Sequence, residues 1–548
     1  MSLPLRTGLL LLLAWLGGCD GAPATAPAPR DALVIATRAE PNSIDPQFSA
    51  VGTNQATAMH MFDTLFARDE QLHTVPALAL SARRIDALTW ELVLRPGVRF
   101  QDGSAFDADD VIFSLHRAAH VPFSPASFAN RVSRIVSMQA PDPLRVHLHT
   151  AQPEPQLMTD VSTVFMVSAK LGKTLATRDF NSGKVAIGTG PYRFVNWVPG
   201  DRLVLTRNEY YWGRAPAFKD VVIRYISADA TRIAALQSGS ADLVDTVPPS
   251  DLDHLRRDRA IQLWQAPTVT LLYLGMDLQR DVNPSVRGRD GNMLPRNPFK
   301  DLRVRQALSL AIDRPLLIRT ILSGSGVPAN QMVPDGTGGF NPALAPSAFD
   351  PAHARQLLAE AGYPDGFEVT LHAPNNRYLN DAQVAQAVGV MLAHVGLAVR
   401  IDAAPKNVFL PRASKREYGF YLYGFGSTTG ESLLAMRSVL ASYDPEHGMG
   451  ANNRGRYSNP RFDALLRAAA ELESGPALDH QLQQATAVGF ADLGIVPLYH
   501  QVATWAGRPG LEFTPRRDER TLAQDVRPTP QATGAAPTSP TVTQAASR

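Results

Sequence analysis

Residues 380–401 read NDAQVAQAVGVMLAHVGLAVRI, a helix pattern followed directly by a strand pattern. The apolar side chains recur every three or four positions, which is the period of one helix face; they are Val384, Val388, Met391, Leu392 and Val395. Asn380 and Asp381 are typical residues for a helix start, and Gly396 is typical of a helix end. The segment therefore predicts a helix that leads into a strand at 397–401.

The same alternation of strand and helix patterns continues along the chain. Strand patterns cover residues 33–36, 89–94 and 221–226. A helix pattern begins at Asp107, where acidic side chains suit the positive end of the helix dipole, and another covers 231–238. Interleaved elements of this kind predict mixed α/β domains.

Length and charge narrow the class of protein. At 548 residues the chain exceeds what one hydrophobic core supports, so we expect more than one domain. A net charge of +2 gives no electrostatic basis for binding nucleic acid. The chain contains 1 cysteine, so no internal disulfide can form.

That cysteine, Cys19, predicts where the protein is located. It follows a basic Arg6 and an apolar run at 9–16, which is shorter than the ~20 residues of a membrane span and typical of a secretory signal. Small residues directly before Cys19 resemble a bacterial lipobox. We expect a signal peptide at 1–18, a lipid on the Cys19 thiol and a position on the periplasmic side of the membrane. The alternative is an ordinary signal peptide with an incidental cysteine.

The two ends of the mature chain have a biased composition. Residues 19–31 are rich in Ala and Pro and lack an apolar face, which predicts an extended linker. Residues 517–548 are assigned to a C-terminal tail, which we expect to be disordered from about residue 528 because it lacks large apolar side chains there.

Several short segments resemble, in this order, the family 5 extracellular solute-binding proteins of ABC importers, the peptide and nickel binding group. They are PNSIDP (41–46), MFDTL (61–65), LRPGVRFQDG (94–103), FDADDV (106–111), GTGPY (188–192), NEYYW (208–212), RVRQAL (303–308), AIDR (311–314), YSNP (457–460) and IVPLY (495–499). The resemblance extends over residues 32–515.

Asp20, directly after the cysteine, also resembles the signal that retains lipoproteins at the inner membrane in some Gram-negative bacteria.

The resemblance implies an α/β fold with two lobes arranged as a periplasmic binding protein clamshell. Lobe one would cover 32–274, with an extra subdomain inserted at about 66–184. Lobe two would cover 275–489, and residues 490–516 would return to lobe one.

The resemblance also implies a mode of action. A small-molecule or oligopeptide ligand would sit between the lobes and favour their closed state, with hinges near 273–275 and 488–495. A membrane permease and its ATPase subunits would then accept the ligand. We expect a lipid-anchored monomer that needs no cofactor.

In family members that bind peptides, an arginine pairs with the carboxylate of the ligand. The matching position here is Arg377, with Asn376 and Tyr378 on either side. A guanidinium can hold a carboxylate through two parallel hydrogen bonds, which lysine cannot do. The alternative is that Arg377 bonds local carbonyl groups or remains in solvent.

The same relatives use an aspartate for the ammonium group of the ligand, and this chain departs from that pattern. The corresponding loop reads GFGSTTGES from residue 424, which places Thr428 at the aspartate position, next to Ser427, with Glu431 nearby. An unpaired buried ammonium costs several kcal/mol. Either Glu431 supplies the charge or the ligand presents no amine there, so a free dipeptide is doubtful.

Further candidates for lining the cleft follow the family only loosely. Gly52, Thr53 and Asn54 lie after the first strand and could approach a ligand. Tyr423 and Phe425 could form apolar walls. Each of them could equally be ordinary packing.

Three other functions remain open at this stage. The cleft could bind unfolded segments as a periplasmic chaperone, or it could bind a nickel chelate. An enzyme would need a Ser, a His and an acid within hydrogen-bond reach in the cleft. His116 and His120 share a helix face but lack the glutamate of the zinc protease pattern, so we expect no metal site.

Overall fold

The structure is a computed structural model that describes residues 32–172, 175–345 and 347–529. The predictions for the signal peptide 1–18, for Cys19 and Asp20, and for the linker up to residue 31 lie outside these residues, as does the tail from 530. Across the described residues, no helix combines enough length and apolar character to cross a membrane.

Strands and helices alternate as the sequence predicts. The strands are β1 Ala32–Thr37, β2 Phe66–Arg68, β3 Thr74–Pro76, β4 Ala79–Arg84, β5 Thr89–Leu94, β6 Ile135–Asp142, β7 Arg145–Thr150, β8 Tyr192–Val198, β9 Arg202–Arg207, β10 Asp220–Tyr225, β11 Leu243–Val244, β12 Gln262–Met276, β13 Val286–Arg287, β14 Gly326–Pro328, β15 Glu368–Pro374, β16 Ala398–Ala404, β17 Phe420–Phe425, β18 Ile495–Gly507, β19 Leu511–Phe513 and β20 Val526–Pro528. The helices are α1 Gly52–Ala58, α2 Ala108–Ala118, α3 Ala129–Val132, α4 Leu157–Val161, α5 Thr177–Asn181, α6 Asp229–Gln237, α7 Pro249–Leu255, α8 Leu302–Leu310, α9 Arg314–Ile321, α10 Pro351–Glu360, α11 Asp381–Ala393, α12 Lys406–Ser414, α13 Leu433–Val439, α14 Pro460–Ala470 and α15 Pro476–Ala491.

A 12-stranded sheet runs through the folded body. Its strand order is β13-β15-β17-β12-β18-β11-β1-β10-β9-β8, with β16 paired to β15 and β14 paired to β18 off this path. We call the part built on β1 and β8–β11, together with the segment between β1 and β8 that carries β2–β7, lobe one, and the part built on β13–β17 lobe two. The neighbouring strands β12 and β18 belong to both lobes.

The pairing of β12 with β18 is interrupted where the chain passes from one lobe to the other. Residues Gln262 to Pro267 of β12 pair with Val502 to Gly507 of β18, and pairing resumes at Leu271 opposite His500. Pro267 has no N–H to donate to the ladder, so a break at this point is expected. Residues 268–270 therefore form an irregular junction between the lobes.

Each lobe has its own hydrophobic core. In lobe one, buried Leu33 and Ile35 of β1 pack with Tyr192 and Trp505. In lobe two, one core gathers the apolar face of α11 against β12 and β15, and a second core lies around Phe462 and the helices α13–α15. Separate cores joined by a narrow junction are the architecture that permits one lobe to move against the other.

A smaller antiparallel sheet, in the order β4-β5-β7-β6, packs with α2 around a core of its own. The predicted helix start at Asp107 is confirmed as a capping box. The Asp107 carboxylate accepts the Asp109 N–H at 3.1 Å, and the Asp110 carboxylate accepts the Asp107 N–H at 3.0 Å. The predicted strand at 89–94 coincides with β5.

The helix and strand predicted from residues 380–401 are confirmed as α11 and β16, but the helix start differs in detail. Asn380 adopts a left-handed conformation with φ 48°, and its side-chain amide donates to the Ile321 carbonyl at 2.8 Å instead of capping the helix. The carboxylate of Asp381 accepts the N–H groups of Arg377 and Tyr378. This residue therefore fixes the loop before the helix.

The folded body extends beyond residue 516. β20 pairs with β19 in antiparallel register, and Leu522, Ala523 and Val526 are buried. Residues 517–529, which the sequence analysis assigned to the beginning of a tail, are thus packed against lobe one.

Candidate ligand-binding cleft

Two loops from opposite lobes meet beside the junction. In lobe two the loop 426–432 follows β17, and in lobe one the turn 69–73 joins β2 to β3. They touch at Gly430, where an added Cβ would lie 2.3 Å from the carbonyl oxygen of Leu72. We call the space between these two loops and the junction the interlobe cleft.

The segment 514–522, which follows β19, forms the third side of the cleft. The Arg517 N–H donates to the Glu70 carbonyl of lobe one at 3.0 Å, and its guanidinium donates to the Asp335 carbonyl of lobe two at 2.5 Å. The Val269 N–H at the junction donates to the Arg517 carbonyl at 3.4 Å. One arginine thus contacts both lobes and the junction.

Arg377 lies in the loop after β15, with an exposed side chain. Its backbone is held by Asp381, and its guanidinium carbon lies 5.1 Å from the centre of the Tyr378 ring. The Tyr378 hydroxyl donates to the Gly424 carbonyl at 3.0 Å and accepts the Gly424 N–H at 2.9 Å, which joins this loop to β17. Within the described ranges the Arg377 guanidinium makes no hydrogen bond or ion pair, so its donors are free for a ligand.

The loop after β17 offers hydroxyl groups at the position where peptide-binding relatives are expected to carry an aspartate. Thr428 is exposed, and the buried Ser427 hydroxyl lies 2.8 Å from the Thr429 hydroxyl. Neither hydroxyl carries a charge. These two hydroxyls can accept a hydrogen bond from an ammonium group but cannot neutralise its charge.

Glu431 faces lobe one rather than an open cleft. Its side chain is buried, and burial raises its pKa to about 7, while the positive charge of Arg68 on β2 lowers the pKa. The Glu431 carboxyl therefore lies at the contact between the lobes, opposite Arg68.

A carboxylate that the sequence reasoning missed, Glu519, lies at the junction. Its Oε1 accepts a hydrogen bond from the Thr270 hydroxyl at 3.3 Å. Burial raises the Glu519 pKa, while hydrogen bonds from Thr268 and Thr270 and the charge of Arg377 lower it. The Glu519 residue nevertheless has exposed surface. The charged run RRDER at 516–520 was the available signal, but nothing local relates it to Arg377.

The predicted apolar walls take part in packing. Tyr423 is buried, with its ring centre 6.2 Å from that of Tyr273 and 4.3 Å from the Arg454 guanidinium. Phe425 is partly buried against the same core. Beside Arg377, the Asn376 side-chain oxygen accepts the Lys406 N–H at 2.8 Å.

Gly52, Thr53 and Asn54 form the first turn of α1 in lobe one. Gly52 is exposed and Thr53 partly so, whereas Asn54 is buried and its amide donates to the Ser43 carbonyl at 3.1 Å. Arg520 connects this helix to the third side of the cleft, because its guanidinium contacts the Gln55 side chain.

A Ser, a His and an acid do meet in the structure, but away from the cleft. The two ring nitrogens of His372 lie 2.8 Å from an Asp402 carboxylate oxygen and 3.2 Å from the Ser285 hydroxyl. Ser285 is 5% exposed, and its hydroxyl also accepts the Gly419 N–H at 2.9 Å. This buried hydroxyl thus binds the backbone directly before β17.

The described residues contain no group of three or more His, Cys, Asp or Glu side chains that could hold a metal ion. His116 and His120 stack with ring centres 4.8 Å apart. A surface cavity of about 470 Å³ lies elsewhere in lobe two, between α9, α10 and α11.

The class of protein follows from this geometry: two lobes with separate cores are joined by the paired strands β12 and β18, and loops from both lobes meet beside the junction. The family "Bacterial extracellular solute-binding proteins, family 5 Middle" matches residues 73–445. The chain belongs to this family, and it is the solute-binding protein of an ABC importer.

Its relatives agree with this assignment. The "Glutathione-binding protein GsiB" of Salmonella paratyphi A is 28% identical over 480 residues, covering 85% of this chain and 88% of the relative. The protein of the same name from Pectobacterium atrosepticum is 30% identical over 457 residues, covering 81% and 83%. The solved structure of HbpA2 from Haemophilus parasuis shares the fold, with a TM-score of 0.77 at 22% identity, covering 91% of this chain and 100% of that one. The first two are named as binding proteins, not enzymes.

Proposed function

We propose that this chain is a lipid-tethered receptor on the periplasmic side of the membrane, and that it captures a peptide-like solute bearing a carboxylate. The observation that carries this proposal is Arg377, an exposed guanidinium beside the interlobe cleft with its donors free among the described residues. Arginine is suited to hold a carboxylate through two parallel hydrogen bonds. The named ligand of the GsiB relatives, glutathione, is a peptide-like carboxylate and fits this chemistry.

Capture would involve closure of the lobes at the junction 268–270. Contacts across the lobes at Gly430, Arg517 and Glu431 support this mode, since each joins a residue of one lobe to a residue of the other in this structure. A ligand that touches both lobes favours the state in which they are close. A permease with its ATPase subunits would accept the ligand from the closed monomer, and Cys19 would keep the receptor near it.

The test is to identify what the protein carries and what it binds. Native mass spectrometry of protein purified without refolding should show a small peptide-like mass, and calorimetry should give saturable binding of glutathione or a short peptide. Selective binding of nickel–histidine alone would replace this proposal with nickel-chelate transport. Binding only of unfolded polypeptides, with no small solute, would favour the chaperone function.

A further inference from the structure

The small sheet β4–β7 of lobe one contacts lobe two through the turn between α14 and α15. The Arg84 Nε, at the end of β4, donates to a Glu473 carboxylate oxygen at 2.6 Å. The Gln156 side-chain amide, directly before α4, donates to the Leu472 carbonyl at 2.6 Å. Neither β4 nor this turn belongs to the 12-stranded sheet that joins the lobes. The two donors therefore form a second bridge between the lobes, separate from the junction 268–270.

The two donors belong to one connected unit of lobe one. Arg84 pairs with Trp90 of β5 in antiparallel register. The Trp90 indole N–H donates to the Glu154 carbonyl at 3.1 Å, in the segment that leads to Gln156. The Gln156 side-chain oxygen accepts the Thr159 hydroxyl at 3.3 Å, which fixes the direction of its amide. The sheet thus holds both donors in place independently of lobe two.

The two acceptors are adjacent residues of lobe two. The Leu472 side chain packs on the second core of that lobe, and its N–H donates to the Ala469 carbonyl at 3.1 Å, near the end of α14. Within the described ranges, the Glu473 side chain makes no other hydrogen bond or ion pair, and the Arg84 side chain makes none besides this one. The ion pair is thus the only polar contact that either side chain makes there, and it joins the two lobes.

The strength of this bridge suits a reversible contact. The Arg84 and Glu473 side chains are 33% and 48% exposed, so solvent screens their attraction. Exposed ion pairs shift an equilibrium by up to about fivefold, and a hydrogen bond between neutral groups contributes a similar factor. A bridge of this strength biases the lobes toward the closed state without locking them there.

We propose that Arg84 and Gln156 form a latch that stabilises the closed state by binding the turn at Leu472 and Glu473. This inference rests on the proposed function, because the latch sets how tightly the same cleft retains its solute. The latch contacts exist only while the lobes are close, so they favour the closed state over the open one. The apparent affinity for a ligand depends on the population of the closed state. Arg84 and Glu473 are therefore positioning residues that raise affinity without contacting the ligand.

The experiment reverses the two charges of the latch one at a time and then together. The proteins are the wild type, R84E, E473R, the double variant R84E/E473R and the control R412E. Arg412 likewise donates through its Nε to a glutamate, Glu417, at 2.8 Å, and the side chains of this pair are 45% and 41% exposed, but both lie in lobe two. We expect each single latch variant to weaken glutathione binding in calorimetry at least about threefold. The double variant restores an attraction of opposite charges, so it and R412E should remain within about twofold of the wild type.

The outcomes separate the latch from solute capture. If R84E and E473R bind glutathione as tightly as R412E does, or if the double variant does not recover affinity, the latch is refuted while solute capture stands. If the wild type does not bind glutathione, the proposed function fails for that solute, and small-angle X-ray scattering of the ligand-free proteins decides on the latch. The single variants should then have a larger radius of gyration than the wild type and the double variant, and equal radii would refute the latch. E473R tests the pair from lobe two, so a poorly folding R84E leaves the test intact.

Discussion

Replacing Arg377 by alanine should weaken the binding of carboxylate ligands by at least about 1.4 kcal/mol, or tenfold in Kd. Hydrogen bonds to charged groups contribute about 1.5–3 kcal/mol, and a bidentate pair lies toward the stronger end. The Arg377 side chain is exposed, and solvent screening moves the expectation toward the lower end. The fold should tolerate the change because the local loop is held by the backbone of Arg377 and the Asp381 carboxylate, at 2.8 Å.

The assay is calorimetric titration with glutathione, using Arg461→Ala as the matched control. Arg461 is likewise an exposed arginine of lobe two, at the beginning of α14, and among the described residues its guanidinium makes no hydrogen bond or ion pair. R377K should bind with intermediate affinity, because it keeps the charge but loses the planar fork. Equal affinities for R377A and R461A would refute the assignment of Arg377 to the ligand.

Three further predictions concern the anchor, the contact between the lobes and the buried Glu431. Cys19→Ser should release the protein from the membrane fraction of cells; if it stays there, the anchor lies elsewhere. Gly430→Ala should lower ligand affinity about tenfold or more, because the φ of Gly430 is 81° and a Cβ there would lie 2.3 Å from the carbonyl oxygen of Leu72. The control Gly291→Ala, where φ is 78° and the added Cβ would lie in open space, should leave the affinity unchanged. Equal affinities of the two variants would exclude this contact from the ligand-bound state. Burial raises the Glu431 pKa from 4.5 to about 7. The protonated side chain therefore contributes to the free energy of unfolding in full below pH 4.5, and this contribution is lost as pH rises through about 7. Between pH 5 and pH 8, the free energy of unfolding measured by denaturant titration should fall by up to ~3 kcal/mol more in the wild type than in E431Q. If it changes equally with pH in both proteins, the raised pKa of Glu431 is contradicted.

Local patterns in the sequence were enough to predict the elements that carry the fold. The helix face from Val384 to Val395 and the acidic start at Asp107 depend on neighbours a few positions away, so the chain reports them directly. Details that depend on distant partners were not predictable in this way. Asn380 bonds the Ile321 carbonyl of α9 instead of capping its own helix.

The residues of the candidate site likewise fall into those that the sequence could indicate and those that it could not. Resemblance to the family pointed to Arg377 and to the missing acid at Thr428, because both lie in recognisable loops. It could not indicate that Tyr423 packs on Tyr273 and Arg454, since a strand pattern does not specify which core each face meets. Nor could it indicate that Glu431 lies opposite Arg68 across the lobe contact.

The sequence by itself determined the α/β class, the order of elements and the family, because these depend on local periodicity and on short motifs. Only the tertiary structure decided which charges share the cleft. Arg517 is far from Glu70 and Asp335 along the chain, yet the fold brings its N–H to the Glu70 carbonyl and its guanidinium to the Asp335 carbonyl, beside the junction near Pro267. Electrostatic interaction depends on distance in space, which the folded arrangement fixes and the order of residues does not.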